Sequence, residues 1–293
     1  MNWDDLRIFL AVARLGTLAQ AAARLAIDPT TVARRVQRLE AALGASLFEH
    51  TPSGHVLTTR GTALLHQAQM MEEAMIAATE RGGSAKGIAD GTIRVSVSEG
   101  FGSGIIAPNL AEFASAHPGI VIELVASTGF LNPSRREADV AIMLARPKSG
   151  PLVVRKLTDY RLGLYGKRDK TEVSSLSALN EHRLIGYVPD LIYAPELRYL
   201  DDVPGNLLAS LTSTSVNAQM QLVKNGAGIG ILPCFFADID PALQRFLSDD
   251  IDIHRAFWLV IHRDMRGIAR IRLFIDWLDS LVARLRALFS GQH

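Results

Sequence analysis

A glycine-rich stretch at 81–91, RGGSAKGIADG, separates two hydrophobic patterns that cannot belong to one layer of structure. Before it, apolar residues recur every three or four positions. After it, strand-like runs such as TIRVSVS (92–98) and IVIELVA (120–126) take turns with helical stretches such as IIAPNLAEFASAHP (105–118). The first pattern builds a small helical unit. The second predicts α/β architecture with mainly parallel sheets covered on both faces. With 293 residues, 48% of them hydrophobic, the chain can bury a core on each side of the linker.

The first sixty residues read as three helices. Asn2 with Asp5 predicts a capping box, and Leu6, Phe9, Leu10 and Ala13 then follow at helical spacing until Gly16. Thr17 and Gln20 repeat the capping pattern ahead of Leu18, Ala21, Ala22 and Leu25. Asp28 is the next N-cap, with Pro29 at the first helical position, where its missing N–H is not needed. Val32, Val36, Leu39 and Leu43 form the inward face of this third helix. That leaves Thr30, Thr31, Arg34, Arg35 and Arg38 pointing outward.

The formal net charge is only +1, so three arginines within five positions are a local feature. No carboxylate joins this face before Glu40, so pairing along the helix does not explain them. Tight helices ending in a basic exposed face predict a helix-turn-helix. EHTPSGHVLTT (49–59) predicts a hairpin wing, followed by a fourth helix over 61–81. Its apolar positions Leu64, Ala68, Met71 and Met75 step like a heptad seam and predict a partner helix.

Other classes find little support. A single cysteine, Cys234, excludes an internal disulfide and suits a reducing compartment, with the thiol expected to be a small buried hydrophobe. The opening MNWDD is not a secretory signal, and no apolar run approaches the ~20 residues of a membrane span. The expectation is a soluble, cytoplasmic protein. GFGSG (100–104) and GAGIG (226–230) contain G-x-G, but Ile231 stands where a dinucleotide fingerprint needs its third glycine. No phosphate-binding loop, nucleophile elbow or metal-ligand spacing occurs, so no cofactor, no metal and no enzyme activity are expected.

The N-terminal segment resembles the winged helix-turn-helix of LysR-type transcriptional regulators. The matches are Phe9, Val12, Gly16, Ala21-Ala22, Leu25, Val32, Leu39-Glu40, Leu43-Gly44, Leu47-Phe48, Leu57-Thr58 and Gly61, in order and at family spacing. TIRVSVS, IIAPNLAEFASAHPGIVIEL and VKNGAGIGILP are similar to the family's effector region, so the resemblance covers essentially the whole chain.

It implies a DNA-binding domain at 1–60, a linker and dimerisation helix with hinge at 61–91, and an effector-binding domain at 92–293. That last domain would have two α/β subdomains resembling periplasmic binding proteins, the first at about 92–160 and 266–293, the second at about 161–265. The implied partners are double-stranded promoter DNA, a small polar metabolite and RNA polymerase, acting on a homodimer or homotetramer with no membrane attachment. DNA contacts are expected from Thr30, Thr31, Arg34, Arg35 and Arg38, with His50 and Ser53 in the wing. The family's usual wing basic residues are replaced here by His50, Thr51, Pro52 and Ser53, and Ala33 replaces a serine. Weaker phosphate contact by the wing is therefore expected.

The resemblance places effector contacts at Ser98, Glu99, Gly100 and Phe101, then Ser127, Thr128 and Gly129, and across the cleft Thr212, Ser213, Thr214 and Ser215. Each segment follows a strand and adjoins a helix start, where hydroxyls and free N–H groups can receive a polar ligand. The rival readings are a solute-binding or sensory protein and an α/β enzyme using Ser98 or Glu99. The latter lacks a recognisable nucleophile–base pair.

Overall fold

The computed structural model describes residues 2–51, 54–80, 89–127, 129, 133 and 137–292, without the side chains of 50, 70 and 73–80. The chain divides into two compact units, 1–87 and 88–293.

The first unit begins with helix α1 (Trp3–Leu15), whose N-cap Asn2 accepts the Asp4 N–H at 3.3 Å. Helix α2 (Leu18–Leu25) is capped by Thr17, which accepts the Gln20 N–H. Helix α3 (Pro29–Leu43) starts from Asp28, which accepts the Thr30 N–H at 2.8 Å, and stops at Gly44 in the left-handed region. The predicted box between Asn2 and Asp5 is only half present, because the Asp5 carboxylate turns to Arg38 on α3 instead. Ile8 and Val12 of α1 pack with Ala21, Ala22, Val32 and Val36. Phe9 is fully buried against Leu6, Leu10, Leu39 and Leu47.

Strands β1 (Phe48–Thr51) and β2 (Gly54–Leu57) pair antiparallel as the wing. Helix α4 (Thr59–Glu80) corrects the predicted dimer seam. Ala68 is fully buried in the unit's own core, and Leu64 and Leu65 pack beside it. The heptad spacing was real, but its first half meets α1 of the same chain, a choice that periodicity alone cannot make. Arg14 on α1 reinforces the contact with an ion pair to Glu72 at 2.5 Å. Met71, next to Glu72 on the helix, is 47% exposed, while the side chain of Met75 lies outside the described residues.

The second unit runs β3 (Gly91–Ser98), a three-residue turn α5 (Glu99–Phe101), a π-turn (Gly102–Ile106), α6 (Ala107–Ala116), β4 (Ile120–Ser127), β5 (Val140–Met143) and β6 (Leu152–Lys167). It continues through β7 (Leu184–Gly186), β8 (Leu211–Thr212), α7 (Val216–Lys224), β9 (Ile229–Pro233) and α8 (Cys234–Ala237). Strands β10 (Leu243–Phe246) and β11 (Ile253–His262) follow, and helices α9 (Ala269–Arg284) and α10 (Arg286–Ser290) close the chain.

The strands form one sheet in the order β4-β3-β5-β11-β6-β9-β7-β8, with β10 beside β6. Its two ends are parallel triplets of the expected α/β kind. Its middle is not. The antiparallel pair β6/β11 joins the halves, so the sheet is mixed rather than mainly parallel. LVVRKL and RLGLYG, which read as two strands, are one 16-residue strand whose polar midpoint is more exposed as it passes between the halves. The predicted last helix likewise breaks at Leu285 into α9 and α10.

GFGSG also acquires a physical reason. A Cβ on Gly102 would stand 2.5 Å from that of Ala126, and one on Gly104 would stand 2.7 Å from the Phe236 ring. These glycines permit close packing rather than phosphate approach.

Candidate functional site

Two surfaces carry the residues singled out by sequence, one in each unit. On α3, Val32, Val36 and Leu39 are buried, so the polar face does turn outward. Its arginines are not equivalent. Arg38 grips Asp5 of α1 through Nη2 at 2.5 Å and Nε at 3.1 Å, and Arg35 lies 3.6 Å from Asp5 and 3.7 Å from Asp4. Asp5 is only 2% exposed, and a buried carboxylate needs such a partner. Ion pairing therefore does account for two of the three arginines, through a neighbouring helix that spacing along α3 could not reveal.

Arg34 is exposed and has no acidic partner among the described residues. Thr30 is exposed at the helix start with its hydroxyl donating to Asp28, and Thr31 is half-buried. Glu40 belongs to the scaffold. Its carboxylate accepts the N–H groups of Leu47 and Phe48, fixing the approach to the wing. Ser53 and the side chain of His50 lie outside the described residues.

In the second unit, the end of β3 faces the start of α7 across a cleft. The Glu99 carboxylate accepts the Ser215 hydroxyl at 2.8 Å and the Val216 N–H at 2.9 Å, taking up a free donor of the α7 terminus. Ser215 in turn caps the helix by accepting the Ala218 N–H. Ser103 adds a weaker link across the cleft, its hydroxyl shared between the Glu99 carbonyl at 2.8 Å and Asn217 Oδ1 at 3.2 Å. These bonds leave a cavity of about 20 Å³, room for roughly one water-sized group.

Ser98, Glu99, Gly100, Phe101 and Thr214, where the resemblance placed effector contacts, line this cavity. The other expected residues among those described do not. Ser127 donates its hydroxyl to the Gly129 carbonyl, and Ser213 accepts the Ser215 N–H within the capping turn. Thr212 lines a neighbouring cavity of about 290 Å³, and Thr128 lies outside the described residues. Among the described residues, two hydroxyl-bearing segments meet here.

What sequence reading missed is the tyrosine. All five tyrosines fall between positions 160 and 199, and four of them, Tyr160, Tyr187, Tyr193 and Tyr199, line the cavity. That clustering was a visible signal. Tyr160 stacks on Phe257 at 4.3 Å, and Tyr187 meets Tyr199 edge-on at 5.6 Å. Burial pushes the phenols of Tyr160, Tyr187 and Tyr193 well up and that of Tyr199 up to about 12, so all four are neutral at pH 7. Cys234 is buried as expected, its thiol raised by burial and held beside Arg245.

A winged helix-turn-helix in one unit and a two-halved α/β domain in the other define the class of transcriptional regulators that join a DNA-binding domain to a substrate-binding domain. Residues 3–62 match the family description "Bacterial regulatory helix-turn-helix protein, lysR family", and residues 86–283 match "LysR substrate binding domain". The chain belongs to the LysR family of transcriptional regulators.

A Mau operon transcriptional activator from Paracoccus denitrificans is 29% identical over 98% of this chain and 99% of its own length. The regulator CrgA from Neisseria meningitidis serogroup C is 26% identical over 94% of this chain and 96% of its own. A solved structure of Neisseria meningitidis CrgA covers 96% of this chain and 98% of its own at 25% identity, with a TM-score of 0.57. Full-length OxyR from Pseudomonas aeruginosa shares the fold at 18% identity, with a TM-score of 0.68 over 96% of this chain and 97% of its own. No helix among the described residues is long and apolar enough to cross a membrane.

Proposed function

We propose that this LysR-family regulator binds double-stranded promoter DNA through α3 and that a small polar effector in the β3/α7 cleft modulates the binding. The observation that carries the reading is the cleft itself. Two halves of one sheet are joined by extended strands and held shut by side-chain hydrogen bonds that a ligand could replace. On this reading 1–60 reads DNA, 61–91 links and dimerises, and 92–293 senses. The protein works in the cytoplasm as a homodimer or homotetramer and contacts RNA polymerase at the promoter.

Arg34, with Thr30 and Thr31, is assigned to the major groove, and Arg35 and Arg38 to contacts shared with α1. The His50 and Ser53 wing is assigned the weaker phosphate contacts. Dimerisation is assigned to the part of α4 from Met71 onward. The enzyme rival gains nothing from the cleft, whose described lining holds no histidine or lysine to serve Ser98 or Glu99 as a base, whereas a solute-binding protein would use the same cleft and differs only in not binding DNA.

A gel shift of the full chain on its own upstream intergenic DNA tests the reading. Binding that falls steeply with salt is expected. Absence of any shift at low salt would leave a solute-binding protein in its place.

A further inference from the structure

Among the described residues that line the cleft cavity, Glu99 is the one formally charged side chain, and no Lys, Arg or His accompanies it. No described lining residue offsets the repulsion between this carboxylate and an anionic effector, and the nearest cation acting on the tyrosines, Arg255, is not in the lining and is itself paired with Asp202. The remaining walls are largely aromatic, with Tyr160 presented by β6 and Tyr187, Tyr193 and Tyr199 by the turns after β7. Aromatic faces carry negative potential and attract cations, most strongly where water is excluded.

A second observation points the same way. The Tyr160 hydroxyl belongs to a residue only 1% exposed and makes no hydrogen bond of good geometry, the neighbouring Tyr199 hydroxyl being near enough to interact but not to satisfy it. Buried hydroxyls are rarely left so. Glu99 also has capacity to spare, since a carboxylate offers about four acceptor positions and two are used here.

Resting on the reading that the cleft takes an effector, we propose that the effector is a small primary amine bound as its ammonium ion. Its N–H groups donate to the Glu99 carboxylate and the Tyr160 oxygen, and its charge lies against the Tyr187 and Tyr193 rings. The cavity of about 20 Å³ suits the ammonium head. The carbon chain requires the halves to part, which couples binding to the Glu99–Ser215 and Ser103–Asn217 bonds.

The test is thermal unfolding of the full chain at matched ionic strength with propylammonium, tetramethylammonium, propionate or 1-propanol. Propylammonium should raise the melting temperature saturably, while propionate and 1-propanol should not. Tetramethylammonium, which has no N–H, should act at least about tenfold more weakly. Glu99→Gln should abolish the propylammonium shift. Tyr160→Phe, which keeps the ring, should raise the half-saturating concentration about tenfold.

An equal response to propylammonium and propionate would overturn the assignment, as would an unchanged response in Tyr160→Phe. The gel shift separates this inference from the reading beneath it. DNA binding by a protein that none of the four solutes stabilises defeats the amine and leaves the regulator standing. Saturable propylammonium binding to a protein that shifts no DNA supports the amine and defeats the regulator.

Discussion

The α3 face and the β3/α7 cleft handle charge in opposite ways. On α3, Arg34, Arg35 and Arg38 lie at the surface, and carboxylates from α1 temper two of them. In the cleft, Glu99 is half-buried beside aromatic rings and bonded to the opposite element. An open basic face acts through a field that salt screens within about 10 Å. A half-buried, hydrogen-bonded carboxylate acts mainly through contacts of a few ångströms, which salt screens less. The first surface should therefore respond to ionic strength and the second to the shape and charge of whatever enters.

The largest expected effect tests where the first unit ends and its neighbours begin. Ala68→Glu would place an unpaired charge in the fully buried contact between α4 and the three-helix core. A loss of more than ~3 kcal/mol is expected in urea unfolding followed by helical dichroism. Met71→Glu, three residues on and 47% exposed, should change stability by less than ~0.5 kcal/mol while lowering the sedimenting mass. Equal damage from both would erase the division of α4 into a core half and a dimerising half.

Next in size is the division among the arginines. Arg38→Ala removes the closest partner of Asp5 and leaves Arg35 at 3.6 Å. The expected loss is ~1–3 kcal/mol, below that of a fully buried pair because the Arg38 side chain is 58% exposed. Arg34→Ala should alter stability by less than ~0.5 kcal/mol and lower the salt slope of DNA binding by about one unit if it holds phosphate. A destabilised Arg34→Ala with unchanged DNA affinity would reverse the two roles.

The same contrast explains how much could be read in advance. Helices α1 to α3, their caps at Thr17 and Asp28, and the outward face of α3 follow from spacing, which is local information. The parallel triplets of the second unit followed from alternating strands and helices. The pairs that decide each site are remote in sequence. Asp5 with Arg38 is 33 positions apart, and Glu99 with Ser215 is 116. Neither leaves a periodic trace. Ala68 shows a third limit, since a seam announces that it is covered and not by whom. The tyrosines between 160 and 199 were legible as a cluster, but their convergence needed the turns after β7 to fold back over β6.

Ser215→Ala sharpens the cleft side. It removes the N-cap of α7 and one of the two donors to Glu99 while leaving the Val216 N–H in place. A loss of ~0.5–2 kcal/mol in the second unit is expected from thermal unfolding, with no change in the first. Because the cleft bond weakens, propylammonium should also bind at lower concentration. Unaltered stability would mean that Glu99 alone caps the helix.

The smallest effects at neutral pH belong to titration, and here the two units should fail at opposite ends of the scale. In the second unit, burial raises Tyr199 from 10.0 to about 12, with Tyr160 and Tyr187 pushed up as well. A folded value above the unfolded one gives stability that is complete below pH 10.0 and lost as pH rises through about 12. Phenolate absorbance should therefore lag behind that of free tyrosine and then rise together with unfolding. Full ionisation near pH 10 in a folded protein would contradict the buried cluster.

In the first unit, hydrogen bonds from the Thr30 hydroxyl and N–H hold the Asp28 carboxyl below its ordinary 3.8. Its contribution is present above 3.8 and lost as pH falls through the lower folded value, so the start of α3 should loosen only in strong acid. Asp28→Asn keeps a capping oxygen without a titrating group and should flatten this acid limb in helical dichroism. If the acid limb survives in Asp28→Asn, the loosening of the first unit in acid does not begin at this cap.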